Sequence, residues 1–107
     1  IIKASKLCKC TIVLKGTNTL ICSSEGKVVL NKHTSKELAV IGSGDVLSGM
    51  IASFISQKMN NYDACRLSSY LHGKAADNLI KNRGHRGLIA SDLPLEVAGV
   101  FSEYENI

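Results

Sequence analysis

With 107 residues, 45% of them hydrophobic and 21% charged, the chain has enough apolar material for one small core and is too apolar for a disordered tail. Its apolar runs, such as Ile12-Val13-Leu14 and Leu38-Ala39-Val40-Ile41, fall far short of the ~20 residues a bilayer span needs. The formal net charge of +4 comes from scattered basic residues, grouped only at Lys81, Arg83 and Arg86 and with no interleaved aromatics, so nucleotide phosphates are a better expected partner than nucleic acid.

No basic-then-apolar leader opens the chain, and a soluble, cytoplasmic protein with no membrane role is expected. The first residue is Ile1 and the only methionines are Met50 and Met59, which predicts a processed chain or one piece of a longer one. Residues 1–9 carry a loose helical pattern on Ile2, Ala4 and Leu7. Thr11 to Lys15 reads as a strand apolar on both faces, broken by Gly16. Thr19 to Cys22 reads as a second strand, and Ser23-Ser24-Glu25-Gly26 turns the chain into a third over Lys27 to Leu30.

A polar loop over 31–37 leads to Gly42-Ser43-Gly44-Asp45 and a long helical pattern. Val46, Leu47, Met50, Ile51, Phe54 and Ile55 recur by threes and fours, and the small residues Ser48, Gly49, Ala52 and Ser53 predict a closely packed neighbour. Asn60 is placed as the N-cap of the next helix, with Asp63 at its N3 position and Ala64, Leu67, Leu71, Ala75 and Leu79 on one stripe ending near Gly84. Ser91 or Asp92 opens a third helix, with Pro94 in its first turn and Leu93, Val97, Val100 and Phe101 turned inward. Strands and a hairpin followed by three helices predict an α/β fold. Residues 1–107 read as a single partial domain, the second half of a larger α/β sandwich.

Cys8 and Cys10 form a Cys-x-Cys pair with no second pair at zinc spacing, and Cys22 and Cys65 lie in apolar stretches. Buried free thiols are expected, and no metal ligands are assigned.

The strongest local signal is Gly42-Ser43-Gly44-Asp45 at the mouth of a helix. Two glycines let backbone approach a ligand closely, and the unpaired first N–H groups with the helix dipole suit phosphate oxygens. An Asp at the end of such a loop can act as base toward a hydroxyl beside the transferred phosphate. A helix start capped by Ser43 or Asp45, with no ligand, fits the same residues. Lys15-Gly16-Thr17-Asn18-Thr19 follows a strand and suits an anionic ligand, although an ordinary hairpin with Asn18 in its turn fits as well. His72, in Tyr70-Leu71-His72-Gly73, reads as a packed helical histidine, and His33 and His85 as solvent-facing loop residues.

Val13-Leu14-Lys15-Gly16, Gly42-Ser43-Gly44-Asp45-Val46-Leu47-Ser48-Gly49, Tyr70-Leu71-His72-Gly73 and Gly87-Leu88-Ile89-Ala90-Ser91-Asp92-Leu93 occur in this order. That order and spacing resembles the C-terminal part of the ADP/ATP-dependent NAD(P)H-hydrate dehydratases, members of the ribokinase-like superfamily, over about residues 5 to 102. The resemblance implies a ribokinase-like α/β sandwich and nucleotide-driven dehydration of hydrated NADH or NADPH. It implies ADP or ATP with Mg2+, contacted by Lys15, Gly16, Thr17, Asn18 and Thr19. Gly42, Ser43 and Gly44 would form the phosphate cradle, Gly44 also contacting the nucleotide, and Asp45 would be the catalytic base. A separate N-terminal half or a second copy of the chain is the implied protein partner. Glu37, Val40 and Ile41 depart from the family pattern before the glycines, predicting an altered phosphate loop. Two further readings stay open: a ribokinase-like kinase of a small alcohol, and a non-catalytic piece of a split or decayed gene.

Overall fold

The computed structural model describes residues 1–15, 18–31, 43–83 and 90–105. A short helix α1 (Ile2–Cys8) precedes three strands, β1 (Ile12–Leu14), β2 (Thr19–Cys22) and β3 (Val28–Asn31). Three longer helices follow: α2 (Ser43–Ser56), α3 (Asn61–Arg83) and α4 (Leu93–Glu105), the last entered through one 3-10 turn at Ala90–Asp92. The strands form an antiparallel sheet in the order β1-β2-β3. The expected order of strands, then helices, is the one observed.

β2 is the centre of the sheet in register as well as position. Val13, Ile21 and Val29 lie opposite one another, and this row faces α3, with Ile21 only 1% exposed. Cys22 points to the other face, where its Sγ lies 3.1 Å from Ser5 Oγ of α1. Elsewhere on the second face Leu14, Val28 and Leu30 are exposed. The turn from β2 to β3 closes on Ser23, whose carbonyl accepts from the Gly26 amide at 3.0 Å and whose Oγ accepts from the Lys27 amide at 3.0 Å. Gly26 has φ +94°, a left-handed value that favours glycine.

The core lies between α3 and α4. Leu71, Ala75, Ala76 and Leu79 of α3 meet Leu93, Val97 and Val100 of α4, and Val46, Met50 and Phe54 of α2 close over them. Phe54 and Phe101 bring α2 against α4, their ring centroids 5.8 Å apart. Asn60 caps α3 as its spacing predicts: its Oδ1 accepts the Asp63 amide at 2.8 Å. Among the described residues no helix is long and apolar enough to cross a membrane.

Several expectations are corrected. α1 is helical, but it buries Ser5, while Ile2 is exposed and Leu7 is 81% exposed; contact with Cys22, not apolarity, chooses its inner side. β1 is shorter than Thr11–Lys15, and β3 is shifted by one residue from Lys27–Leu30 to Val28–Asn31. On α2 the small residues Ser48, Gly49, Ala52 and Ser53 are exposed, and a methyl at Gly49 would meet nothing within 4 Å. The helix is turned so that Val46, Leu47, Met50 and Phe54 take the inner side, which also leaves Ile55 exposed. All four cysteines are free, but only Cys22 and Cys65 are buried; Cys8 and Cys10 are exposed.

Candidate functional site

α2 begins at Ser43, so Ser43, Gly44 and Asp45 are its first turn rather than a loop leading into it. This places their N–H groups at a helix start, in the positive end of the dipole. Ser43 is buried, Gly44 half-buried and Asp45 exposed, with Asp45 the acidic side chain of that turn. An acid here is favourable to the helix, and exposure leaves its carboxylate open to a ligand.

Lys15 follows β1 and reaches across to this turn. A Cβ built on Gly44 would fall 2.7 Å from Lys15 Nζ. A side chain at this position would have to displace the lysine, and the approach puts an ammonium group beside the first turn of α2. Asn18 is exposed in the turn before β2, and Thr19 is buried as the first residue of β2. Lys15, Ser43 and Gly44 are thus brought together, with Asp45 on the same turn. Gly16, Thr17 and Gly42 lie outside the described residues, as do Glu37, Val40 and Ile41 of the altered loop and the histidines His33 and His85.

Sequence reasoning gave His72 a packing role; the structure adds a contact. Its ring is 6% exposed and hydrogen-bonds the backbone of Ser43. Burial holds the imidazole below its ordinary pKa; the Ser43 bond opposes that shift and the nearby Lys15 ammonium adds to it. The signal in the sequence is positional. At helical spacing His72 falls in line with Ala76 and Leu79, on the buried stripe rather than the solvent face.

A separate cleft of about 640 Å³, lined by Ile21, Val29, Leu67 and Tyr70 among others, lies between the sheet and α3. None of the residues assigned above lines it.

The family model described as NAD(P)H-hydrate dehydratase matches residues 2–97. The chain belongs to the NAD(P)H-hydrate dehydratase family. It is 40% identical over 82 residues to a bifunctional NAD(P)H-hydrate repair enzyme of Moorella thermoacetica, covering 77% of this chain and 16% of that protein. It is 38% identical over 84 residues to an ADP-dependent (S)-NAD(P)H-hydrate dehydratase of Neisseria meningitidis, covering 78% of this chain and 28% of that one. The ADP/ATP-dependent NAD(P)H-hydrate dehydratase of Bacillus subtilis, co-crystallized with ATP/Mg2+, superposes with a TM-score of 0.89 at 28% identity. That superposition covers 96% of this chain and 37% of the Bacillus chain. The chain therefore spans well under half the length of these dehydratases, and its fold is that of the corresponding part of the dehydratase.

The donor set at the turn also fits a magnesium nucleotide. Among the described residues no group of three or more His, Cys, Asp or Glu side chains could hold a metal alone. Magnesium commonly keeps its waters and binds through substrate phosphates and one or two carboxylates, and Asp45 is the exposed carboxylate of this turn.

Proposed function

We propose that this chain carries the nucleotide-binding and catalytic part of an ADP- or ATP-dependent NAD(P)H-hydrate dehydratase. The ring hydroxyl of hydrated NADH or NADPH takes a phosphoryl group from the nucleotide. Loss of phosphate from that carbon, and of a proton from its neighbour, restores the dihydronicotinamide. Asp45 accepts the hydroxyl proton as the oxygen attacks phosphorus. The N–H groups of the first turn of α2, with Gly42, Ser43 and Gly44, hold the phosphates, and the Lys15 ammonium offsets their charge. Gly16, Thr17, Asn18 and Thr19 contact the rest of the nucleotide. Asp45 would help hold a phosphate-bound Mg2+, which when bound would supply charge neutralisation at the transferred group. The remaining substrate contacts come from the larger share of the family fold that this chain does not span. The exposed free thiols Cys8 and Cys10 suit a reducing cytoplasm.

The observation that carries this reading is the approach of Lys15 Nζ to Gly44 at the start of α2. A thermal melt with and without Mg-ADP and Mg-ATP tests it. A ligand at a hundredfold excess over its dissociation constant adds about 2.7 kcal/mol to the folded state, a shift of several degrees in Tm. A Tm unchanged by both nucleotides overturns the assignment.

A further inference from the structure

α3 carries buried polar residues, one of which meets the start of α2. Ser68, Ser69 and His72 share its buried face, at 0%, 5% and 6% exposure. Among the described residues Ser68 Oγ, Ser69 Oγ and His72 Nε2 have no hydrogen-bond partner. The His72 ring is nevertheless engaged through its bond to the Ser43 backbone. Since Nε2 is the nitrogen without a partner, Nδ1–H is the donor and the Ser43 carbonyl the acceptor. A carbonyl oxygen has two lone pairs, so the same atom can close the first turn of α2 onto the Leu47 amide.

The Ser43 carbonyl and the Gly44 N–H belong to one peptide unit, and that unit is planar. A grip on the carbonyl therefore sets the direction of the N–H on its opposite side. Accepting a bond at the oxygen also polarises the unit and strengthens the N–H as a donor. Lys15 lies beside the same residue, its Nζ crowding the position a Gly44 side chain would take.

We propose that His72 is a positioning residue: its Nδ1–H pins the Ser43 carbonyl, and through the shared peptide plane aims the Gly44 N–H into the space beside Lys15 where a nucleotide phosphate is held. This rests on the reading of Lys15 and Gly44 as the phosphate site, and His72 acts through Ser43 without touching the nucleotide. The buried ring meets the donor requirement from α3, a rigid helix anchored in the core, rather than from a loop. The position of the donor follows from the helix that carries it.

Three variants of the full chain test the role. His72→Leu fills the space without a donor. His72→Asn places an amide N–H near the position of Nδ1, while His72→Gln carries its amide one methylene further and misses the carbonyl. By titration with Mg-ADP and Mg-ATP, Leu and Gln weaken binding by about tenfold, the loss expected for one buried bond, and Asn stays within about threefold of the parent. In the nucleotide-free chain, amide hydrogen exchange at 44–47 rises in Leu and Gln and returns in Asn, with α4 unchanged. Parent-like affinity and exchange in Leu and Gln overturn the proposal, as does an Asn variant no better than Gln. If the parent chain binds neither nucleotide, the phosphate-site reading falls, and the exchange pattern alone decides whether His72 holds Ser43.

Discussion

Lys15 and Gly44 meet across the fold: one directly follows the first strand, the other lies in the first turn of the first long helix, and a methyl on Gly44 would come 2.7 Å from the Lys15 ammonium. The obstruction is the far end of a flexible side chain, not backbone. Gly44→Ala is therefore expected to leave the fold intact and displace Lys15 Nζ from the helix start. Stability in buffer stays within about 1 kcal/mol of the parent, since alanine favours a helix over glycine by about that amount and offsets the displaced lysine. The upward shift with Mg-ADP or Mg-ATP is lost. A parent-like nucleotide shift in Gly44→Ala would show that the contact plays no part in binding.

The start of α3 rests on Asn60, whose Oδ1 and Nδ2 meet the Asp63 amide and carboxylate, both at 2.8 Å. Asn60→Ala removes this cap at a cost of about 1 kcal/mol, seen as a lower denaturant midpoint with an unchanged slope.

Leu71 tests the core, since it is 2% exposed and sits where α3 meets α4. Leu71→Ala is expected to cost about 2–5 kcal/mol, a large fraction of what a domain of this size commands. Loss of less than about 1 kcal/mol would place the core elsewhere.

Burial holds His72 below the ordinary imidazole pKa, and this fixes the sign of a pH effect. Above the ordinary value both folded and unfolded chains hold His72 neutral, and the group gives no slope. As pH falls through that value the unfolded chain takes up the proton first, so stability drops until the pH reaches the lower pKa of the folded chain. Melts from about pH 8 down to about pH 5 should show this drop in the parent. It should be reduced in His72→Asn, with the contributions of His33 and His85 cancelling between the two.

The thiols divide by burial. Cys8 and Cys10 are exposed, while Cys22 and Cys65 are buried and desolvation pushes the Cys65 thiol above its ordinary pKa. Because the thiolate is the nucleophile, alkylation followed by mass mapping should label Cys8 and Cys10 in the native chain and the other pair only after denaturation. Rapid native labelling of Cys65 would contradict its burial.

Local physics was legible in the sequence wherever it is written in short range. The Asn60 cap needs only Asn60 and Asp63, the glycine at 26 needs only its own turn, and the α4 stripe needs only the spacing of Leu93, Val97 and Val100. The motif at 42–45 was legible as a helix start for the same reason. Which side of each helix is buried was another matter. Ser5 displaced Leu7 from the inner side of α1 because Cys22 lies opposite, and the small residues of α2 face outward because α3 and α4 meet its larger ones. The partners of those faces are distant in the chain, and periodicity names a stripe without naming what covers it. So sequence alone determined the order of elements, the Asn60 cap and the residue types able to hold a phosphate. Only the tertiary structure brought Lys15 over Gly44 and His72 onto the Ser43 carbonyl, because those contacts join segments whose separation in the chain carries no information about their separation in space.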